Sequence, residues 1–129
     1  MYSVNKGVYP YLSENGYLFA RGGGERAYNP AKDDPFNAPS FTVHTQFLRK
    51  KGRFAETAKK AKDGQIVIYT FHGVPDKEHH KWVNTDPGQF EACMKYLKDN
   101  GYTVIAMRDL AKYVDVKQAI KKVVWGGRT

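Results

Sequence analysis

Ile66-Val67-Ile68-Tyr69-Thr70-Phe71-His72-Gly73-Val74-Pro75-Asp76 is an apolar run that ends in a histidine and then breaks into a Gly/Pro loop. Short runs of β-branched and aromatic residues read as strands buried on both faces, the kind found in parallel sheets. In parallel α/β folds the C-terminal end of such a strand faces the ligand cleft, which makes the titratable His72 a candidate for chemistry. Thr70, two residues earlier, should point to the same side because side chains alternate along a strand. The competing reading is a histidine that only caps the strand by bonding a backbone carbonyl.

On either side of this strand the pattern alternates between helix and strand. From Lys6 to Asn15, Val8, Tyr11 and Leu12 share one helical face, and Asn15-Gly16 supplies a stop. Tyr17 to Arg21 reads as a short strand ended by Gly22-Gly23-Gly24, and a long loop follows to Ser40 through Pro30, Pro35 and Pro39. Loops of that length inside compact domains are often functional. Phe41 to His44 reads as another short strand, and Phe54 to Lys62 as a helix with Ala55, Ala58 and Ala61 inward, stopped by Asp63-Gly64.

Beyond the His72 loop, Asp86-Pro87-Gly88-Gln89 predicts a helix start with Asp86 as N-cap and Gln89 closing a capping box. Phe90, Cys93, Met94 and Leu97 then fall on one stripe. Asn100-Gly101 ends that helix, Tyr102 to Met107 reads as a strand, and Asp109 as the cap of a last turn. Val116 to Val124 reads as a basic amphipathic helix. Tyr11-Leu12-Ser13-Glu14-Asn15-Gly16-Tyr17 echoes Tyr96-Leu97-Lys98-Asp99-Asn100-Gly101-Tyr102. Both are helix ends that turn through Asn-Gly into extended chain, as successive βα units would.

Composition narrows the function classes. With 129 residues and 41% hydrophobic content the chain has material for one core, so residues 1–129 are read as one domain. An aromatic share of 14% argues for a packed interior rather than disorder. Cys93, alone of its kind, excludes an internal disulfide framework, and its core-like helix position reads as a small buried hydrophobe. No run is long and apolar enough to span a bilayer, and no signal-peptide order opens the chain, so a soluble protein is expected, with the compartment open.

The net charge of +8 gathers at Arg49-Lys50-Lys51-Gly52-Arg53, at Lys59, Lys60 and Lys62, and at Lys117, Lys121 and Lys122. Such a surface would attract nucleic acid, anionic lipid or an acidic polymer. No helix-turn-helix, zinc-finger or RNP-like pattern accompanies it, so the reading is solvated lysines on outer helix faces. Gly22 to Gly24 is not a phosphate loop, because no Lys-Ser/Thr follows.

Ile66 to Asp76, His80, Trp82, the Thr85-Asp86-Pro87 helix start, Phe90-Glu91 and the stretch from Tyr96 to Leu110 resemble the C-terminal part of a polysaccharide deacetylase (NodB-homology) domain. Asn15 to Arg21, with the Gly-rich loop after it, resembles the preceding βα unit. The likeness spans about residues 5–115 and leaves 116–129 as a basic tail.

The resemblance implies an α/β fold, part of a distorted (β/α) barrel, and hydrolysis of an N-acetyl group on a sugar polymer. In that family a divalent metal, usually zinc, is held by an aspartate and two histidines, and a second aspartate activates the metal-bound water. A histidine late in the domain gives a proton to the departing amine, and His72 matches its position. Trp82 could stack on a sugar ring or simply pack. Arg21 could bind a substrate carboxylate or pair with Asp33 or Asp34.

The family's paired aspartates, its His-x-x-x-His pair and its arginine-proline motif are absent from the sequence. The expectation is therefore the C-terminal half of a deacetylase domain, inactive alone, or a non-catalytic module for an N-acetylated or acidic glycan. Fewer than eight βα units cannot close a barrel, so self-association or a complementing N-terminal half is expected to cover the open edges. His72, Asp76, His79 and His80 are zinc-ligand types, but they match no common ligand spacing, and no zinc is expected for this chain alone.

Overall fold

A computed structural model of the chain describes residues 6–75 and 81–115. The predicted tail helix from Val116 to Val124, and Asp76, His79 and His80, lie outside the described residues.

Strands β1 (Arg21–Gly24), β2 (Ala38–Val43) and β3 (Tyr69–Phe71) form one parallel sheet in the order β1-β2-β3. Phe41, Thr42 and Val43 stand opposite Tyr69, Thr70 and Phe71. Alternation along the strands then sorts the side chains onto two faces. On one face Val43 packs with Phe47, Phe54, Ala58, Cys93 and Leu97, and Tyr69 and Phe71 lie against this cluster. The helices that supply it are α2 (Thr45–Leu48), α3 (Arg53–Ala58) and α4 (Pro87–Asp99). On the other face Ala38 and Ile68 pack with Tyr28, Leu110 and Val114. Each fully buried Val, Leu or Phe contributes about 1.5–3 kcal/mol, so both clusters are needed to hold so short a sheet.

The two Asn-Gly helix ends are superposable in their bonding. Asn15 Nδ2 donates to the Tyr11 carbonyl at 2.8 Å after α1 (Tyr9–Glu14), and Asn100 Nδ2 donates to the Tyr96 carbonyl at 2.8 Å. Tyr17 N–H reaches the Leu12 carbonyl, and Tyr102 N–H the Leu97 carbonyl, each at 3.0 Å. Gly16 at φ +82° and Gly101 at φ +76° supply the left-handed step between.

Several sequence expectations give way to tertiary contacts. The first strand is not Tyr17 to Arg21; it begins at Arg21 and runs through the glycines. Gly22 is buried, and a Cβ there would stand 1.9 Å from Asn37 Oδ1, so any larger residue would have to displace the Asn37 side chain. Gln89 closes no capping box: its Oε1 accepts the Thr45 hydroxyl at 2.9 Å, and Asp86 makes no side-chain cap.

Asp109 caps nothing either; it sits inside a 3-10 turn (Met107–Lys112), 3.5 Å from Lys112 Nζ. Finally, Tyr102 to Met107 is not a strand. Residues 102–106 join no ladder, and Val104 remains 64% exposed, because an apolar groove of about 750 Å³ lies between them and the β3 segment.

The helix predicted over Phe54 to Lys62 ends at Ala58. The long run at Ile66 forms ladder pairs with β2 only from Tyr69 onward, while Ile66 bridges Tyr28 in antiparallel fashion. The described residues thus form a small α/β fold with an open three-stranded parallel sheet, compatible with a partial fold, and no barrel closes among them. No described helix is long and apolar enough to cross a membrane.

Candidate functional site at the C-terminal edge of the sheet

Because the three strands are parallel, their C-terminal ends deliver Glu25, His44 and His72 to the same edge. Glu25 turns back at φ +51° and its Oε1 accepts the Thr42 N–H at 3.0 Å. His44 caps α2: its Nδ1 accepts the Phe47 N–H at 3.1 Å. Burial lowers the His44 pKa from its ordinary value, the charges of Arg53 and His72 push the same way, and Glu25 opposes them. His72 is exposed at the end of β3, and a cis Val74-Pro75 peptide follows in its loop.

Beneath this edge a chain of hydroxyls spans the sheet. Thr70 Oγ1 donates to Ser40 Oγ at 3.2 Å, and the buried Ser40 donates to the Gly22 carbonyl at 2.7 Å. The Thr70 hydroxyl thus ties β3 to β2.

Residues 82–86 cross the same edge. Thr85 is fully buried; its Oγ1 donates to the Val43 carbonyl at 3.2 Å and its N–H to the Gly73 carbonyl at 3.0 Å. Val83 is buried too, and Asn84 accepts the Thr45 N–H on its carbonyl at 2.8 Å. Trp82, just before these anchors, is 72% exposed. It borders a polar cleft of about 290 Å³ together with Thr45, Gln46, Arg49, Asn84 and Asp86. The cleft starts at Thr45, the residue after His44, and its Arg49 wall begins the exposed basic corner Arg49-Lys50-Lys51. Arg53 lies flat on Phe47, its guanidinium 4.1 Å from the ring centroid.

Arg21 does not belong to this constellation. It opens β1 opposite Ala38, the first residue of β2, and so sits at the other edge of the sheet from His72. The partner of Asp33 is Arg26, through two bonds of 2.7 and 2.8 Å that hold the Asp33 carboxyl below its ordinary pKa.

His44 is the residue that sequence reading passed over. A signal existed: Phe41-Thr42-Val43-His44 and Tyr69-Thr70-Phe71-His72 share one pattern, aromatic, Thr, apolar, His, and pair in register. Among the described residues no three His, Cys, Asp or Glu side chains converge as metal ligands would. Comparison with known proteins finds no family model, no curated protein and no solved structure that matches this chain.

Proposed function

We propose that this chain is a glycan-binding module related to carbohydrate deacetylases, holding an N-acetylated sugar polymer along the C-terminal edge of its sheet. The observation that carries this reading is Trp82, an exposed indole directly followed by the buried Val83 and, three residues on, the buried Thr85, beside a polar cleft. An amphipathic aromatic with one open face suits the apolar face of a sugar ring, while hydroxyls and an acetamide would bond Asn84, Thr45 and Gln46. Arg49 would draw uronate or other acidic units to the same cleft, and the basic corner beyond it would speed their arrival.

His72 stands at the position where the resemblance puts the proton donor to a departing amine. On that ground a second reading, the acid-bearing half of an enzyme completed by an N-terminal half or another partner, comes next.

Titration of the isotope-labelled chain with tri- and tetra-N-acetylated chito-oligosaccharides tests both. Shifts confined to Trp82, Asn84 and the His44 and His72 edge, with no acetate released, are the expected result. Acetate release by the chain alone would replace the binding reading with the catalytic one. No shifts with neutral or uronate-containing oligomers would remove the glycan reading.

A further inference from the structure

We propose that His44 is a proton-operated latch on the Trp82 cleft, which keeps its shape, and its grip on a sugar chain, only while His44 Nδ1 is free to hold the Phe47 N–H. For its ligand the latch rests on the glycan reading above, and it adds a regulation to that site. The two walls of the cleft meet at this residue. One is α2, which contributes Thr45, Gln46 and Arg49, and the other is the crossing segment with Trp82, Asn84 and Asp86. The crossing segment hangs on the residues either side of His44. The Val43 carbonyl accepts the Thr85 hydroxyl at 3.2 Å, and the Thr45 N–H donates to the Asn84 carbonyl at 2.8 Å. The Thr45 hydroxyl donates to Gln89 Oε1 at 2.9 Å, which ties the same corner to α4.

A proton on Nδ1 breaks this corner from within. The nitrogen accepts the Phe47 N–H at 3.1 Å, and an imidazolium has no acceptor to offer, so two donors would face each other at that distance. Phe47 cannot give way, because its ring is buried in the core cluster and carries the Arg53 guanidinium on its face. Thr45 is half-buried and Gln46 exposed, so the displacement falls on them, the first residues of the cleft wall. Three charged or titratable groups bear on the proton. Arg53 at the start of α3 and His72 at the end of β3 oppose it, and Glu25 after β1 favours it. Burial of His44 opposes it as well, so the latch opens on the acid side of the ordinary histidine value of 6.5 and is closed at neutral pH. A ligand that needs the closed cleft binds fully above that step and loses affinity as pH falls through it.

The test follows the isotope-labelled full chain from pH 8 to pH 5, first alone and then with tetra-N-acetylated chito-oligosaccharide, a neutral ligand that a charge on His44 does not attract. In the free chain the Phe47 and Thr45 amide signals and the Trp82 indole N–H are expected to move with the midpoint of the His44 imidazole. A Phe47 amide that ignores His44, or one that follows it while Thr45 and Trp82 stay still, overturns the proposal. With the sugar, affinity is expected to fall about fivefold on acidification, the scale of one helix cap. His44→Asn, whose side chain stays an acceptor, should lose this pH dependence, and His72→Gln should keep it. A fall that survives in His44→Asn and vanishes in His72→Gln would make His72 the proton sensor and overturns the latch. No sugar binding at any pH removes the glycan reading alone, and the free-chain signals then decide the latch by the same criterion.

Discussion

His44 Nδ1 accepts the backbone N–H of Phe47 at 3.1 Å, so the residue that ends β2 at the candidate site also starts the helix that covers the sheet. That bond exists only while Nδ1 is unprotonated. Burial, Arg53 and His72 depress the folded-state pKa of His44 below its ordinary value near 6.5. Above that unfolded value both states are neutral and the cap contributes fully. As pH falls below it, the unfolded chain binds the proton first, and stability declines until the folded pKa is passed.

Urea midpoints measured between pH 8 and pH 5 should therefore fall with pH in the native chain. In His44→Asn, which keeps a side-chain acceptor at the cap, this part of the pH dependence should vanish. An unchanged slope in the variant would show that His44 is not the titrating group.

Trp82 is exposed, while Val83 and Thr85 beside it are buried. Trp82→Ala should weaken glycan binding by about tenfold or more, the scale of losing an aromatic anchor from an interface. The urea midpoint should move little, because surface substitutions cost within about 0.5 kcal/mol. Calorimetric titration beside urea denaturation reads both quantities from the same two proteins.

Gly22→Ala should destabilise the fold by about 1–3 kcal/mol, the usual scale of overpacking. Its Cβ would meet Asn37 Oδ1 at 1.9 Å and Asn37 Cγ at 3.0 Å, so the Asn37 side chain must leave its place against β1. Gly22→Ala with Asn37→Gly should recover most of the loss. A single variant as stable as the native chain would mean that the Asn37 side chain swings aside without loss.

Tyr28 is fully buried, and its hydroxyl finds no hydrogen-bond partner among the described residues. Burial, with the negative charges of Asp33 and Asp34, pushes its pKa up to about 12. An unsatisfied buried hydroxyl costs about 1–3 kcal/mol, so Tyr28→Phe should be neutral or stabilising. An unfolding free energy that drops by about 1 kcal/mol or more would reveal a partner for this oxygen.

How much of this was legible beforehand follows from the range of each interaction. The Asn-Gly stops after α1 and α4 are closed by bonds no more than five residues apart, and the sequence states them outright. The apolar stripe of α4 and the strand ending in His72 are similarly local patterns. Gln89 is the opposite case: four residues of sequence make it a capping-box partner, and a threonine forty-four positions away takes it instead. Asp33 was one of two acids within reach of Arg21 by sequence, yet the fold gives it to Arg26.

At the candidate site the sequence named His72, Thr70 and Trp82 but not what surrounds them. The partnership of His44 with His72 depends on the register of β2 against β3, which pairs Val43 with Phe71. Register is set by which faces are buried, and that requires both helices and sheet to be in place.

By itself, then, the sequence determined the alternation of helices and strands, the turns between them and the histidine at the end of the third strand, because each rests on neighbours in the chain. Only the tertiary structure decided that the first strand runs through glycines, that residues 102–106 stand apart from the sheet, and that Glu25, His44 and His72 share one edge. Those outcomes turn on close packing between segments far apart in the chain, and no local preference of the residues involved encodes it.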